Sequence, residues 1–357
     1  MSTKSMAKKQ LKLVSQKQFA EYIKGLAWSS DGNRLAIISA GGELALWQED
    51  KFKVLKSEDG YSLDCVGFSA DGKWLATGGQ KGEVAIWRLA ADTHFELTAT
   101  LDWGTAWIDT LAWHPQQNWL AFAVNRHIEV WNANTGDIIA TLDYKASSVF
   151  KLAWHPQKEL LAASGHGGVK VWHSDDWSEK PYLLQVPGAS LDCAWSEDGK
   201  YLASGNLDRT ISLLDWGYPP PWLMQGFPGK ISRVTWSRGN SQESNSQPIL
   251  AASCQEGIIV WQWDSKDRNW QNHVLQHSQT VRAIAFSPDS SLLASAGDDD
   301  CIKLWQKGTK LIQTIKTSDR LSYLAWHPTG KYLAAGGQNG ELTLWQSSNS
   351  SKGFGNR

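Results

Sequence analysis

Apolar and polar positions along this chain follow one pattern that recurs eight times. A short apolar stretch ends in Trp or Phe, as in Leu26-Ala27-Trp28. A polar turn follows, then a Leu-Ala pair (Leu35-Ala36), a Gly-rich turn, and an alternating stretch ending in Trp (Leu44-Ala45-Leu46-Trp47). The first mark returns at Phe68, Trp113, Trp154, Trp195, Trp236, Phe286 and Trp326. The second returns at Trp87, Trp131, Trp172, Leu214, Trp261, Trp305 and Trp345. Two-residue alternation between turn signals predicts strands. In the second unit four are expected: Ser62 to Phe68, Trp74 to Thr77, Val84 to Trp87 and Phe95 to Thr100. Asp71-Gly72 and Gly78-Gly79 stand between them, where tight turns want such residues. No stretch shows convincing helical periodicity.

The units step by roughly 40–50 residues, the spacing of a four-stranded propeller blade. One such sheet cannot bury its own faces and must stack on neighbours. The expected fold is therefore all-β, a closed eight-bladed β-propeller of four-stranded antiparallel blades. Small residues (Ala27, Gly67, Ala112, Ala153, Ala194, Thr235, Ala285, Ala325) occupy the inner strands, where crowding about the axis leaves little room. The last unit stops after Leu342-Thr343-Leu344-Trp345 and lacks an outer strand, whereas Leu11 to Gln16 is a spare one. The N-terminal strand is expected to complete the last blade, which removes two open sheet edges. A seven-bladed ring is the alternative, and it would leave one unit without a place. The expected domain runs over 11–346, between a flexible tail at 1–10 and a disordered Ser/Asn/Gly-rich tail at 347–357. The Ser/Asn/Gln-rich stretch 238–247 is expected to be a mobile loop.

Charge removes some function classes. Lys and Arg number 35 against 36 Asp and Glu. Without a basic excess, specific nucleic-acid binding is not expected. No apolar run approaches the ~18–20 residues of a membrane span, and Met1 to Lys12 lacks the apolar centre of a secretory signal. Cys65, Cys193, Cys254 and Cys301 fall in different units without CxxC spacing, so neither a disulfide framework nor a zinc site is expected. The expectation is a soluble, cytoplasmic protein with no cofactor and no metal.

Trp-His-Pro occurs at Trp113-His114-Pro115, Trp154-His155-Pro156 and Trp326-His327-Pro328, yet Ser69 and Ser287 take the His position in related units. A turn role tolerates that exchange, and metal ligation does not. Here the chain resembles the WD40-repeat family: in unit seven His277, Ser295, Asp299 and Trp305 stand at the positions of that family's His–Ser–Asp–Trp hydrogen-bond tetrad. The resemblance covers about residues 11–346 and implies that the tetrad is a structural brace, despite its likeness to a catalytic triad. Elsewhere the tetrad is degraded: unit five keeps Ser204 and Asp208 but has Leu214 in place of the Trp. In Asp298-Asp299-Asp300, Asp299 is committed to the tetrad, which argues against a cation site.

Seven of the 22 Trp fall off the repeat positions: Trp103, Trp107, Trp177, Trp216, Trp222, Trp263 and Trp270. Trp103 and Trp107 flank the loop entering unit three, with Asp109 just beyond, and are expected to anchor a partner at the channel mouth. Trp216, Tyr218 and Trp222 frame a triple proline that either docks a partner or stiffens a connector. At the inner-strand starts, Lys24, Asp64, Asp109 and Lys151 contrast with Arg233 and Arg282, so units two and three read acidic and six and seven basic. The expected function is a non-catalytic protein–protein interaction scaffold, a monomeric propeller within a complex of other proteins. The alternative is a small-ligand receptor or enzyme using the channel mouth, with Asp64, Asp109 and Arg282 as its only plausible members.

Overall fold

The computed structural model describes residues 9–91, 94–145, 148–239, 247–255 and 257–349. Within these residues every regular element is a strand. Eight inner strands circle one axis, beginning with Ile23–Trp28, Leu63–Phe68, Leu111–Trp113 and Val149–Trp154. The second half of Tyr182–Trp195, Arg233–Trp236, Val281–Phe286 and Leu321–Trp326 continue the ring. Each packs beside the next, and the last packs beside the first. Eight apolar clusters fill the wedges between successive units.

Hydrogen bonds join the strands into seven sheets, six of four strands and one of six. This corrects the expectation of eight separate four-stranded blades. Units four and five share the six-stranded sheet, so the sheet count is that of the seven-bladed alternative, while all eight units keep an inner strand at the axis. The cause is local. Leu160–His173 pairs with the inner strand of unit four through its first half and with Tyr182–Gln185 through its second. Its two ends lie side by side, because Ser174 N donates to Glu159 O at 2.9 Å. Gly167 and Gly168, at φ 84° and 130°, turn the chain so tightly that the ladder is not interrupted. Tyr182–Trp195 then runs without a break from the outer edge of unit four into the inner strand of unit five, where it pairs through Ser190 to Trp195.

The N-terminal strand Lys9–Gln18 lies antiparallel to Glu341–Asn349, from Lys9 opposite Asn349 to Gln18 opposite Glu341. First and last strands therefore share one sheet and close the ring. Both reach beyond the expected domain limits: Lys9, Gln10 and residues 347–349 are strand residues. Residues 1–8 and 350–357, and 240–246 of the loop expected at 238–247, lie outside the described residues.

The recurring inner-strand Trp has a reason beyond bulk. In six units its indole N–H donates to the carbonyl of the small inner-strand residue of the preceding unit. Trp113 reaches Gly67 O at 2.9 Å, Trp154 Ala112 O at 3.0 Å, and Trp195 Ala153 O at 3.2 Å. Trp236 reaches Ala194 O at 3.1 Å, Trp326 Ala285 O at 3.0 Å, and Trp28 crosses the closure to Ala325 O at 3.1 Å. Phe68 and Phe286 have no N–H to offer. The Trp-His-Pro histidines latch neighbours too. Nδ1 of His155 accepts the backbone N–H of Gln157 and Lys158, while Nε2 donates to Gly199 O of the next unit at 3.0 Å. His327 repeats this across the closure to Gly32 O at 3.0 Å, and His114 faces Glu159 Oε2 at 3.2 Å.

Candidate interaction surface

Most inner strands carry a β-bulge at the same place; those of units three and six pair without one, and in unit five it falls between Ser190 and Asp192. In the other units the register shifts between Ile23 and Gly25, Leu63 and Cys65, Val149 and Lys151, Val281 and Ala283, and Leu321 and Tyr323. A bulge leaves one residue unpaired and re-aims it. The residue so placed, four before the inner Trp or Phe, is Lys24, Asp64, Phe150, Arg282 or Ser322. Asp109 holds that position in unit three. Lys151 and Arg233 stand one residue later, so the sequence-based charge map mixed two positions of the bulge.

The expected split into acidic and basic arcs is also corrected, because the charges pair locally. Lys24 Nζ donates to Asp64 Oδ1 at 2.9 Å, and the Asp64 side chain is only 6 % exposed. Burial is the largest influence and pulls the Lys24 ammonium down, but the hydrogen bond to Asp64 and the charge of Asp64 together outweigh it and raise Lys24 above the usual lysine value. Arg282 grips Asp298 with Nε at 3.0 Å and Nη2 at 2.7 Å, and Gln338 Nε2 adds a third bond at 2.9 Å. Burial, and then the neighbouring Asp64 charge, push the exposed Asp109 carboxyl upward. Arg233 is exposed and donates to Ser232 O at 3.3 Å. Tyr323 was missed in the sequence. It stands one residue past its bulge, near Arg233, Tyr22, Lys24 and Asp64, and burial raises its phenol. Its equivalence to Lys151 and Arg233 was the available signal.

The two loop tryptophans part ways. Asp102 Oδ1 accepts Gly104 N–H at 2.8 Å, and Gly104 takes φ 66°, which folds the loop into a tight turn. Trp107 emerges 49 % exposed, its indole N–H donating to Asp64 Oδ2 at 2.7 Å. Trp103 turns inward, its ring 6.1 Å from that of Phe122 and its indole nitrogen buried, so it is part of the packing between units two and three. That corrects its assignment as a surface anchor.

In unit five the same sorting occurs. Trp216 packs edge-on against Trp195 at 5.1 Å and Tyr182 at 5.5 Å, which makes it a corner of the core rather than a docking residue. Tyr218 is 76 % exposed, and Trp222 is 41 % exposed at the end of a row through Trp263 and Trp270.

In the tetrad, His277 Nδ1 donates to Asp299 Oδ2 at 2.9 Å. Trp305 Nε1 donates to Ser295 Oγ at 2.8 Å, and that oxygen lies 2.8 Å from His277 Nε2. Burial lowers the imidazole despite the opposing Asp299, so it is neutral near pH 7. A neutral ring donates at Nδ1 and accepts the Ser hydroxyl at Nε2, giving one continuous chain of donors. Both side chains are sealed, at 0 % and 3 % exposure, which leaves no approach for a substrate. In unit five Asp208 instead accepts from Thr210 Oγ1 at 2.7 Å, and Ser204 bonds Ser190 and Asn206.

Antiparallel sheets set radially about one axis, closed by the chain's two ends, define the protein as a β-propeller. Family models agree in detail: the WD domain, G-beta repeat, matches residues 186–215, 269–306 and 309–346, and the anaphase-promoting complex subunit 4 WD40 domain matches 68–157. The chain belongs to the WD40-repeat family. It is 24% identical over 185 residues to Protein HIR1 of Cryptococcus neoformans, covering 43% of this chain and 20% of that one. It is 30% identical over 98 residues to Protein CIA1 of Arabidopsis thaliana, 26% of this chain and 28% of the relative. It is 25% identical over 192 residues to the Protein SEC13 homolog of Drosophila melanogaster, covering 46% and 53%. The chain thus spans at most about half the length of these relatives. No helix among the described residues is long and apolar enough to cross a membrane.

Proposed function

We propose that the protein is a non-catalytic interaction platform and that the channel-mouth face bearing Trp107 holds a protein partner. The observation that carries this reading is the mounting of Trp107. Half its ring faces water, yet its N–H is held by Asp64, which Lys24 holds in turn. An aromatic fixed before binding loses little freedom on contact, and such residues dominate interface energies. Asp109 and Arg233 supply exposed charge on the same rim. The match to a domain of a complex subunit supports the same reading.

Trp107→Ala and Trp103→Ala separate binding from packing. Trp107→Ala is expected to keep its melting temperature and to lose the partners that the wild type retains from cell extract. An anchor of this kind contributes ~2 kcal/mol, about thirtyfold in affinity. Trp103→Ala is expected to lower stability, by roughly 2–4 kcal/mol for a half-buried ring. Recovery of every partner by a stably folded Trp107→Ala protein would refute the assignment.

A further inference from the structure

Charge is sorted by sector round the outer edge of the ring. The outer strands of units seven, eight and one are Lys310–Lys316, Lys9–Gln18 and Lys51–Lys56. Together they carry eight lysines and no carboxylate. The next two, His94–Asp102 and Asp137–Asp143, carry Asp and Glu and neither Lys nor Arg. Those of units five and six, Trp222–Met224 and Asn269–Gln276, carry neither sign. A net charge of -1 conceals this segregation.

Three of the eight lysines are engaged: Lys9 with Asp289, Lys56 with Asp59, and Lys17 over the Phe52 ring at 4.7 Å. Lys12, Lys51, Lys53, Lys310 and Lys316 point into solvent. Exposed aliphatic groups lie among them: Leu13 at 48 %, Val54 at 45 % and Leu311 at 45 %. The carboxylates nearest in sequence, Glu49 and Asp50, sit in the turn that precedes Lys51. The lysine sector ends in a groove between units one and two, with a cavity of about 350 Å³. Phe52, Leu55 and Phe95 form its apolar wall; Lys51, Lys53 and one carboxylate, Glu49, also line it, as does the buried Arg34, 3.6 Å from Asp31.

We propose that this edge docks an acidic, extended segment of a partner protein that alternates carboxylate and apolar side chains and seats an apolar residue in the groove. The strand Lys9–Gln18 ends its sheet; on its outer edge the Gln313 side chain takes the N–H and C=O of Leu11, and the rest of that edge pairs with no strand and can accept another. Lysines on such an edge repel a second copy of the same strand. The same lysines attract an acidic one, so the charges select against self-pairing and for this partner. Nucleic acid fits less well. The sector pairs lysine with aliphatic side chains, and of its phenylalanines Phe95 is buried and Phe52 half-buried in the wall, where bases do not stack readily on them.

The test is fluorescence anisotropy with a labelled peptide of alternating Glu and Leu. The comparison probes are its Lys-for-Glu counterpart, a single-stranded DNA oligonucleotide, and vesicles containing anionic lipid. The expected result is binding of the acidic peptide that weakens with salt, at least tenfold weaker in the variant Lys12→Glu, Lys53→Glu, Lys310→Glu. Should that variant fail to fold, Lys→Gln at the same positions must weaken binding at least threefold. Reversal of Lys158 and Lys180, exposed in unit four, is expected to have no effect. No binding of the acidic peptide, equal binding by the charge-reversed protein, or tighter binding of the oligonucleotide or vesicles would overturn the proposal. Trp107→Ala is expected to leave this binding unchanged, so the outcome is independent of the channel-mouth reading.

Discussion

Single side chains here are decided by where their polar atom ends. Trp305 has Ser295 for its indole N–H, and Trp345 has Thr343 Oγ1 at 3.0 Å. Trp47, Trp87, Trp131 and Trp261 occupy the same strand position with buried N–H groups that meet no protein acceptor among the described residues. The tetrad of unit seven therefore concentrates a polar network that most units lack. Asp299→Ala would strip His277 of its carboxylate inside a sealed site. Its expected cost is on the order of 1–3 kcal/mol, read as a lower denaturation midpoint. An unchanged midpoint would contradict the reading of the tetrad as a structural brace. The tetrad residues were legible in the sequence only through the resemblance to the WD40-repeat family, whose His, Ser, Asp and Trp positions unit seven alone matches in full. Which loop tryptophan turns outward was not legible, because the turn at Gly104 sends two similar residues to opposite sides.

At the scale of the strand, the small residue and the Trp that follows it act across units. The small side chain lets neighbouring backbones approach, and the indole then reaches the carbonyl beside it. A ring-preserving change isolates the hydrogen bond. Trp236→Phe leaves Ala194 O without its donor and is expected to cost about 0.5–1.5 kcal/mol by chemical denaturation. The same change at Trp154 or Trp326 should cost a similar amount. A neutral effect at all three positions would assign the conservation of indole within this chain to ring volume alone. The β-bulge is the element-scale feature that the alternation pattern hid. Shifting one residue exchanges the two faces of a strand, so reading Lys24 and Arg233 as equivalent positions was a one-residue error with a physical consequence.

Across the whole molecule, His114, His155, His277 and His327 bind the ring together while uncharged. Burial lowers each of them below the ordinary value of 6.5. The unfolded chain takes up protons near pH 6.5, whereas the folded chain resists until lower pH. The unfolded state then binds more protons, so stability falls as pH drops below about 6.5 and is level above about 7. Melting temperatures from pH 8 to pH 5 should show this decline. Ser stands in the equivalent turn at Ser29, Ser69, Ser196 and Ser287, so His327→Ser should fold and flatten the slope. A melting temperature independent of pH between 7 and 5 would sink this account. Below that range, Asp31 and Asp71 add to the loss. Burial opposes their ionised form, but the Ser hydroxyls and backbone N–H groups they accept, with the neighbouring side chains, together outweigh it and hold them low, so protonating them costs stability.

Sequence by itself determined the strand class, the eight units and the pairing of the chain's two ends. All three are properties of spacing: period two along a strand, a 40–50-residue repeat, and one outer strand displaced to the N-terminus. Tertiary structure alone decided that units four and five merge into one sheet, because a continuous ladder depends on how tightly Gly167–Gly168 closes. It decided likewise that Lys24 and Asp64, or Arg282 and Asp298, neutralise each other, since ion pairs depend on distances between strands that no linear pattern carries. The lysine-rich sector of the outer edge lies between these cases. Its charges are plain in the sequence, but they form one surface only because closure sets the outer strands of units seven, eight and one side by side.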